Sequence, residues 1–281
     1  MLAVLALLLT DAAAKWPDDV DLVGMTVHGG DPIVDPAVLA EDYRRLIAEL
    51  GMAVGTRSLP APHTLGVSGF EVALDSTVSF ISTRGNEENP APWERAHVAE
   101  DPSAVLVQPG FSVRKGLPFS LEVGLTGRWL GVSRQGVFGG QLRAGLVEGY
   151  KPWPDVVLHV GYTAYIGNDQ LKLGTTDIGV TLGTRAPVGP IKGARTGSVS
   201  PFLDVTLMII NGTPTIDPGI AGEIGAGSYG NRGLEPRLKP LTVPTFNGGV
   251  QFDVGRLMFR LSGGYGLKAT AWAGGSLGFR Y

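Results

Sequence analysis

The four histidines are the side chains best suited to acid–base catalysis, and their sequence surroundings decide whether catalysis is expected. They are His28, His63, His97 and His159. A hydrolase needs a histidine that activates a nearby serine or is oriented by a carboxylate. His97 lies between Glu94 and Glu100, but no nucleophile stands near it in a recognisable arrangement. We therefore predict that the protein is not an enzyme and keep a hydrolase as the less favoured alternative.

The sequence also gives little support for binding of a metal, a cofactor or a nucleic acid. The chain has no cysteine, which excludes thiolate zinc sites and disulfides, and its histidines and carboxylates lack metal-ligand spacing. Residues 225–230 match the glycine pattern of nucleotide-binding loops, but no strand pattern precedes them and no helix pattern follows. A net charge of -3 offers no basic surface to nucleic acid. We predict no metal, no cofactor and no nucleic-acid partner.

The composition indicates what kind of elements must position any site. The 281 residues include 42 glycines and are 43% hydrophobic, but only 17% are charged, which is below the usual quarter. The longest apolar run, residues 2–9, is shorter than the roughly 20 residues of a membrane-spanning helix. Its length and the alanines at 12–14 predict an export signal, residues 1–14, that is cleaved after Ala14.

Residues 15–63 are predicted to form an amino-terminal segment with one amphipathic helix. Asp35 and Pro36 supply an N-cap and a first helical residue. Apolar residues at helical spacing are Val38, Leu39, Tyr43, Leu46, Ile47 and Leu50. Gly51 is predicted to cap the carboxyl end of the helix. The apolar face must be buried against the rest of the protein or against a partner.

From residue 64 onward, apolar residues recur at every second position, which indicates strands with one apolar and one polar face. For example, Leu158, Val160 and Tyr162 alternate with His159 and Gly161. We predict ten strands, at about residues 64–82, 104–115, 118–132, 138–149, 155–167, 171–185, 199–210, 245–253, 256–266 and 269–281. Several match the roughly 9–11 residues of a transmembrane strand. A soluble β-sandwich would show the same alternation with its apolar faces inside.

The carboxyl-terminal strand carries the most specific pattern. Leu277, Phe279 and Tyr281 share one face, and Gly278 and Arg280 share the other. This ending resembles the terminal strand of bacterial outer-membrane β-barrels. The resemblance implies an all-β fold, a transmembrane antiparallel up-and-down β-barrel over residues 64–281, in the bacterial outer membrane and in contact with its lipid. It also implies that Leu277, Phe279 and Tyr281 form an assembly signal for the barrel-assembly machinery.

The connections between the predicted strands alternate in length, as in such barrels. The longest are residues 83–103 and 211–244, which would face outward, while the tight turns and both termini would face the periplasm. Counts of eight or twelve strands stay open as alternatives to ten.

The lumen is predicted to be lined by charged residues of both signs. The inward-facing candidates are Glu71, Asp75, Glu122, Arg128, Arg143, His159, Asp177, Arg185, Asp204, Asp253, Arg256, Arg260 and Arg280. They could line a pore or form a closed network, because isolated buried charges are very costly. A barrel of about ten strands has an interior between a filled core and a porin channel, and we predict a filled or narrow lumen.

Two functional hypotheses follow from this lumen. The first is a narrow channel or transporter for small solutes, lipophilic ones included, with the helix at 35–51 as a plug. The second is a non-transporting structural or interaction barrel whose long loops contact partners. In either case the helix lies in the lumen, caps the periplasmic end or binds a protein partner.

Overall fold

The chain folds into a closed barrel of ten antiparallel strands. A computed structural model describes residues 19–28, 31–32, 36–55, 59–83, 91–96, 103–149, 153–189, 197–216, 240–267 and 269–281. The predicted export signal, the N-cap Asp35, His97 and the glycine-rich residues 225–230 lie outside the described residues.

Each strand pairs with its neighbours in sequence, and the last strand pairs with the first. The strands are β1 (Phe70–Phe80), β2 (Val105–Leu117), β3 (Leu121–Trp129), β4 (Gly136–Val147), β5 (Asp155–Ile166), β6 (Leu171–Gly183), β7 (Gly197–Pro214), β8 (Leu241–Val254), β9 (Leu257–Gly266) and β10 (Ala271–Arg280). β10 pairs with β1 from Trp272 opposite Ser79 to Arg280 opposite Glu71. Over the described residues, each of the ten barrel strands is thus paired on both sides, which confirms the predicted fold class with ten strands.

The barrel has two different ends. The turn end contains the connections β2–β3, β4–β5, β6–β7 and β8–β9, together with Tyr281, and the loop end contains the other connections. A short strand, Ala186–Val188, pairs with the start of β7 inside the β6–β7 connection. The β7–β8 connection includes residues 217–239, which the structure does not describe, so the hairpin of the twelve-strand alternative would fall outside the described residues.

The first strand begins later than predicted, at Phe70 instead of residue 64. The reason is that residues 64 and 65 bond to side chains and not to a neighbouring strand. The Thr64 hydroxyl donates to Glu148 over 3.0 Å, and the Leu65 amide donates to Glu122 over 3.2 Å. Such side-chain acceptors are separated from residue 64 by long stretches of sequence, so the alternation pattern cannot reveal them.

The strands turn their apolar residues outward. Leu74, Leu203 and Leu261 have 68%, 69% and 61% of their surface exposed, whereas Glu71 and Thr77 are buried at 1% and 0%. This arrangement is the reverse of a soluble β-sandwich, because the polar face of each strand points into the closed barrel.

One helix, α1 (Pro36–Gly55), packs inside the barrel near the loop end, and a short helix, α2 (Pro92–Arg95), lies in the β1–β2 connection. No helix within the described residues is both long and apolar enough to cross a membrane. The prediction that Gly51 ends α1 is wrong, because the helix continues to Gly55. Gly51 instead permits close packing: an added Cβ would lie 2.3 Å from Cγ2 of Ile210 on β7.

Candidate functional site: the barrel lumen

The structure places eleven of the thirteen candidate lumen residues inside the barrel. They are Glu71, Asp75, Glu122, Arg128, Arg143, His159, Asp177, Asp204, Asp253, Arg260 and Arg280. Arg280 keeps 15% of its side chain exposed, and the other ten residues are at most 8% exposed. Side chains that line an open pore remain accessible to water, so this degree of burial indicates a filled lumen.

The two remaining candidates lie beyond the ends of the strands, at the turn end of the barrel. Arg185 follows the end of β6, is exposed, and donates from Nε to the Ser198 hydroxyl over 3.0 Å. Arg256 occupies the two-residue turn between β8 and β9, with its guanidinium 5.1 Å from the centre of the Tyr281 ring. Alternation predicts that both residues face the lumen from the end of a strand. The pattern does not hold there, because side chains alternate between two faces only while the backbone stays in the sheet.

The turn half of the lumen contains a group of charges that we call the arginine cluster: Arg114, Arg143, Arg260 and Arg280 around Glu71 and Glu122. Glu71 accepts hydrogen bonds from both Arg114 Nε and Nη2, from Arg260 Nη2 over 3.1 Å and from Arg280 Nε over 2.6 Å. One carboxylate on β1 therefore joins strands β2, β9 and β10. Charge-assisted bonds of this kind offset the cost of burying the ions.

Glu122 forms the other centre of the arginine cluster. Its Oε1 accepts from Arg114 Nη1 and from Arg143 Nη1, each over 2.8 Å. Arg114 thus bridges the two glutamates, yet it was absent from the candidates. Arg114 lies an even number of residues from the buried Gln108 on β2, so both side chains face inward. The alternation along that strand therefore predicts an inward position for Arg114.

A stretch of the amino-terminal segment, residues 59–65, passes through the arginine cluster. Arg143 Nη2 donates to the Ala61 carbonyl over 2.8 Å, and the Ala61 amide donates to Gln251 Oε1 over 3.4 Å. Arg280 Nη1 donates to Nε2 of His63 over 3.1 Å. A guanidinium can only donate, so Nε2 of His63 is the acceptor of this bond and carries no proton.

The loop half of the lumen is filled by α1. Leu46, Ile47 and Leu50 are completely buried in an apolar core that also includes Ile210 and Trp272 from the barrel wall. This core has the character of a soluble protein interior, in which apolar side chains pack closely.

Wall side chains bind the carboxyl end of α1. Gln108 Nε2 donates to the Ala53 carbonyl over 3.1 Å, and Arg128 Nη2 donates to the Val54 carbonyl over 2.5 Å. The last carbonyls of a helix lack intrahelical partners and carry partial negative charge, which a cation stabilises. Arg128, one of the predicted lumen residues, therefore serves as a partner of the helix.

Polar residues of α1 also hold the β1–β2 connection. Glu49 accepts from Trp93 Nε1 and from the Ser82 amide, both over 2.9 Å. Asp42 forms an ion pair of 2.8 Å with Arg95. The helix consequently packs against the wall on one side and organises a loop on the other.

The buried His159 has neighbours that resemble part of a hydrolytic site. Its Nε2 lies 3.2 Å from the Thr206 hydroxyl, and its Nδ1 lies 3.5 Å from Asp204 Oδ2. The Thr206 hydroxyl, however, donates to Asp204 Oδ1 over 2.6 Å, so it is not poised to give its proton to His159. Gly179 leaves room for the imidazole, because an added Cβ would lie 2.6 Å from Nε2.

The space beside His159 is too small for a substrate. A cavity of about 20 Å³ borders His159, Asp177 and Thr206 and is closed from the segment side by Gly55 and Leu59. A second cavity of about 20 Å³ borders Asp75, Arg114 and Arg128. Each has room for about one water molecule. Within the described part of the chain, no group of three or more histidine and carboxylate side chains is placed to bind a metal ion.

Comparisons with known proteins assign neither a family nor an activity to this chain. No protein-family model matches this chain, and no curated protein matches it either. The N-terminal β-barrel domain of Pseudomonas aeruginosa OprF is 14% identical, with a TM-score of 0.31 over 77% of this chain and 99% of that domain.

Two further solved structures show the same degree of similarity. Ail, the attachment invasion locus protein of Yersinia pestis in complex with a heparin analogue, is 12% identical, with a TM-score of 0.26 over 76% of this chain and 99% of Ail. Acinetobacter baumannii Omp33 is 9% identical, with a TM-score of 0.26 over 76% of this chain and 99% of Omp33. All three are bacterial outer-membrane β-barrel proteins, and the closed ten-stranded barrel of this chain is shown by its own structure and not by these comparisons. The low TM-scores transfer no activity.

Proposed function

We propose that the protein is an outer-membrane β-barrel that does not conduct solutes in this state, because its own amino-terminal segment fills the lumen. The observation that carries the proposal is the burial of the inward-facing residues, together with lumen cavities of about 20 Å³. A barrel with this interior acts through its surface and its loops. This corresponds to the second of the two functional hypotheses from the sequence.

The outer surface supports insertion into a membrane. Exposed apolar side chains cover the middle of the strands, and exposed aromatic residues lie near both ends. Phe80, Trp129 and Tyr265 lie towards the loop end, while Trp153 and Tyr281 lie at the turn end. Aromatic residues in two belts are typical of barrels that span a bilayer, where rings occupy the interface with water. The placement of Leu277, Phe279 and Tyr281 on this outer face leaves them available to the assembly machinery.

Membrane insertion and barrel closure can be tested together. The chain, expressed with its export signal in a Gram-negative host, is expected in the outer-membrane fraction and to migrate faster on a gel before boiling than after it. Recovery as a soluble periplasmic monomer without heat-modifiable migration would overturn the proposal.

Closure of the lumen is tested by conductance in planar bilayers. The full chain is expected to give no steady current, since the inward side chains leave no continuous water path. A second protein that lacks residues 15–60 serves as the comparison, after heat-modifiable migration has shown that it still forms a barrel. A steady current through the full chain would contradict the proposal, and a current seen only after the deletion identifies the segment as what closes the lumen.

A gated channel for small solutes is the second candidate, favoured by the polar wall of the turn half. Charges of both signs line that half, as they do in water-filled barrels. The gate would be the amino-terminal segment, so a disulfide between segment and wall should abolish any voltage-induced openings. Gly51→Cys with Ile210→Cys suits this test, because a Cβ added at position 51 would point at the Ile210 side chain and the chain has no other cysteine. Openings that persist in the oxidised double variant would exclude this gate.

A further inference from the structure

The amino-terminal segment runs through the lumen from one end of the barrel to the other. Near the loop end, Ile47 of α1 packs against Gly212. Halfway along, Gly55 is beside Met208 and Thr175. Beyond the helix, the path continues along the polar wall of the turn half.

The lower part of the path leads directly to the turn end. Ala61 contacts Gln251 and Arg143, three or four residues before β8 and β4 end. Thr64 then reaches Glu148, which immediately follows β4. The order of these contacts along the chain matches their order along the barrel axis, so the described parts of the segment, residues 47–55 and 59–64, follow one another through the barrel from the loop end to the turn end.

The start of the described chain is held at the loop end by three connections. The Asp21 amide donates to the Ala96 carbonyl over 2.7 Å in the β1–β2 connection. The Leu22 amide donates to Gln170 over 2.7 Å in the β5–β6 connection. The backbone amide of Arg134, in the β3–β4 connection, donates to Asp19 over 3.3 Å.

The carboxyl end of the chain lies at the opposite end of the barrel. Tyr281 exchanges two backbone hydrogen bonds of 2.9 Å with Phe70, the first residue of β1. Asp19 and Tyr281 are therefore separated by the full length of the barrel.

We propose that this barrel displays its own amino-terminal segment: the segment crosses the membrane inside the lumen, so that residues 19–25 lie on the side of the long loops, opposite Tyr281. The proposal rests on the membrane insertion proposed above. It makes residues 19–25 part of the surface at the loop end, together with α2 and the short loops at 130–135 and 167–170.

The buried contacts of the segment explain why it stays in place. Leu46, Ile47 and Leu50 are completely buried, and Glu49 holds both Ser82 and Trp93. Withdrawal would expose the apolar face of α1 and the charged wall of the turn half at the same time. Both exposures are unfavourable, so the segment is a core element of the barrel.

Cysteine labelling in intact cells tests the threading, because the chain has no native cysteine. Three single variants are compared: Val23→Cys in the segment, Val132→Cys in the β3–β4 connection and Phe119→Cys in the β2–β3 turn. Their side chains are 38%, 56% and 93% exposed. A membrane-impermeant maleimide is expected to label Val23→Cys and Val132→Cys in intact cells, and Phe119→Cys after the outer membrane has been permeabilised.

The labelling pattern distinguishes the path of the segment through the barrel from the orientation of the barrel in the membrane. Labelling of Val23→Cys together with Phe119→Cys, and not with Val132→Cys, would overturn the threaded path. Labelling of Phe119→Cys alone in intact cells would mean that the barrel is inserted the other way round, with the threading intact. Equal labelling of all three before permeabilisation, with the chain in the soluble fraction, would refute membrane insertion instead. Heat-modifiable migration of each variant confirms that the barrel has formed.

Discussion

The two halves of the lumen are filled in opposite ways by consecutive parts of one segment. In the loop half, α1 packs Leu46, Ile47 and Leu50 against apolar wall residues such as Ile210. In the turn half, residues 59–65 form neither helix nor strand, and their backbone bonds to Glu122, Arg143 and Gln251 of the wall. A helix satisfies most of its backbone groups internally, whereas an irregular chain leaves many of them in need of polar partners.

In each half, the residue types of the barrel wall suit the conformation of the part of the segment that they surround. Apolar wall residues suit the helix, and charged residues suit the exposed amides and carbonyls of residues 59–65. Stability is therefore expected to depend on close packing in the loop half and on complete ion pairing in the turn half, which single substitutions can distinguish.

The largest effect is expected from Glu71→Gln in the turn half. The change removes the charge shared by Arg114, Arg260 and Arg280, and breaking a buried ion pair in this way costs about 3–5 kcal/mol. The loss is measured as a lower urea midpoint of the heat-modifiable gel shift. Val72→Ala on the lipid-facing side of the same strand is the control and should change the midpoint little; equal midpoints for Glu71→Gln and wild type would show that the ion pairs contribute nothing.

The loop half should lose slightly less from Leu50→Ala. Truncation of a fully buried leucine leaves a cavity and costs about 2–5 kcal/mol, whereas Arg44→Ala on the exposed face of α1 should have little effect. Conservative substitutions compare the two halves more directly. Leu50→Met should lower the free energy of unfolding by less than about 1.5 kcal/mol. Glu71→Asp, which shortens the reach to three arginines, should cost clearly more than Leu50→Met. The opposite order of the two conservative variants would contradict a difference between the halves.

Gly51→Ala tests how tightly α1 packs against the wall. Alanine favours a helix over glycine by about 1 kcal/mol, but its Cβ would lie 2.3 Å from Cγ2 of Ile210. Overpacking of this kind costs about 1–3 kcal/mol, so we expect net destabilisation of the barrel in urea. In an Ile210→Ala background, the same Gly51→Ala change should become stabilising, and a destabilisation that persists there would refute the packing explanation.

Much of the fold could be predicted because a strand in a barrel wall has a local signature. Alternation assigns Leu158 and Val160 to one face and His159 to the other without knowledge of any partner. The alternation pattern gives the wrong direction for side chains where the backbone leaves the sheet, as at Arg185 and Arg256. It gives the right direction for Arg114, which belongs to the centre of the arginine cluster.

Local patterns in the sequence are enough to tell which residues within a strand face inward and that α1 has an apolar face to bury. The tertiary structure decided which inward residues meet, because Glu71 is joined to Arg260 and Arg280 by barrel closure across most of the chain length. It also decided that α1 continues past Gly51 and that the segment spans the lumen. These outcomes depend on the diameter of a closed ring of ten strands and on contacts between distant residues, and no local pattern in a sequence encodes either.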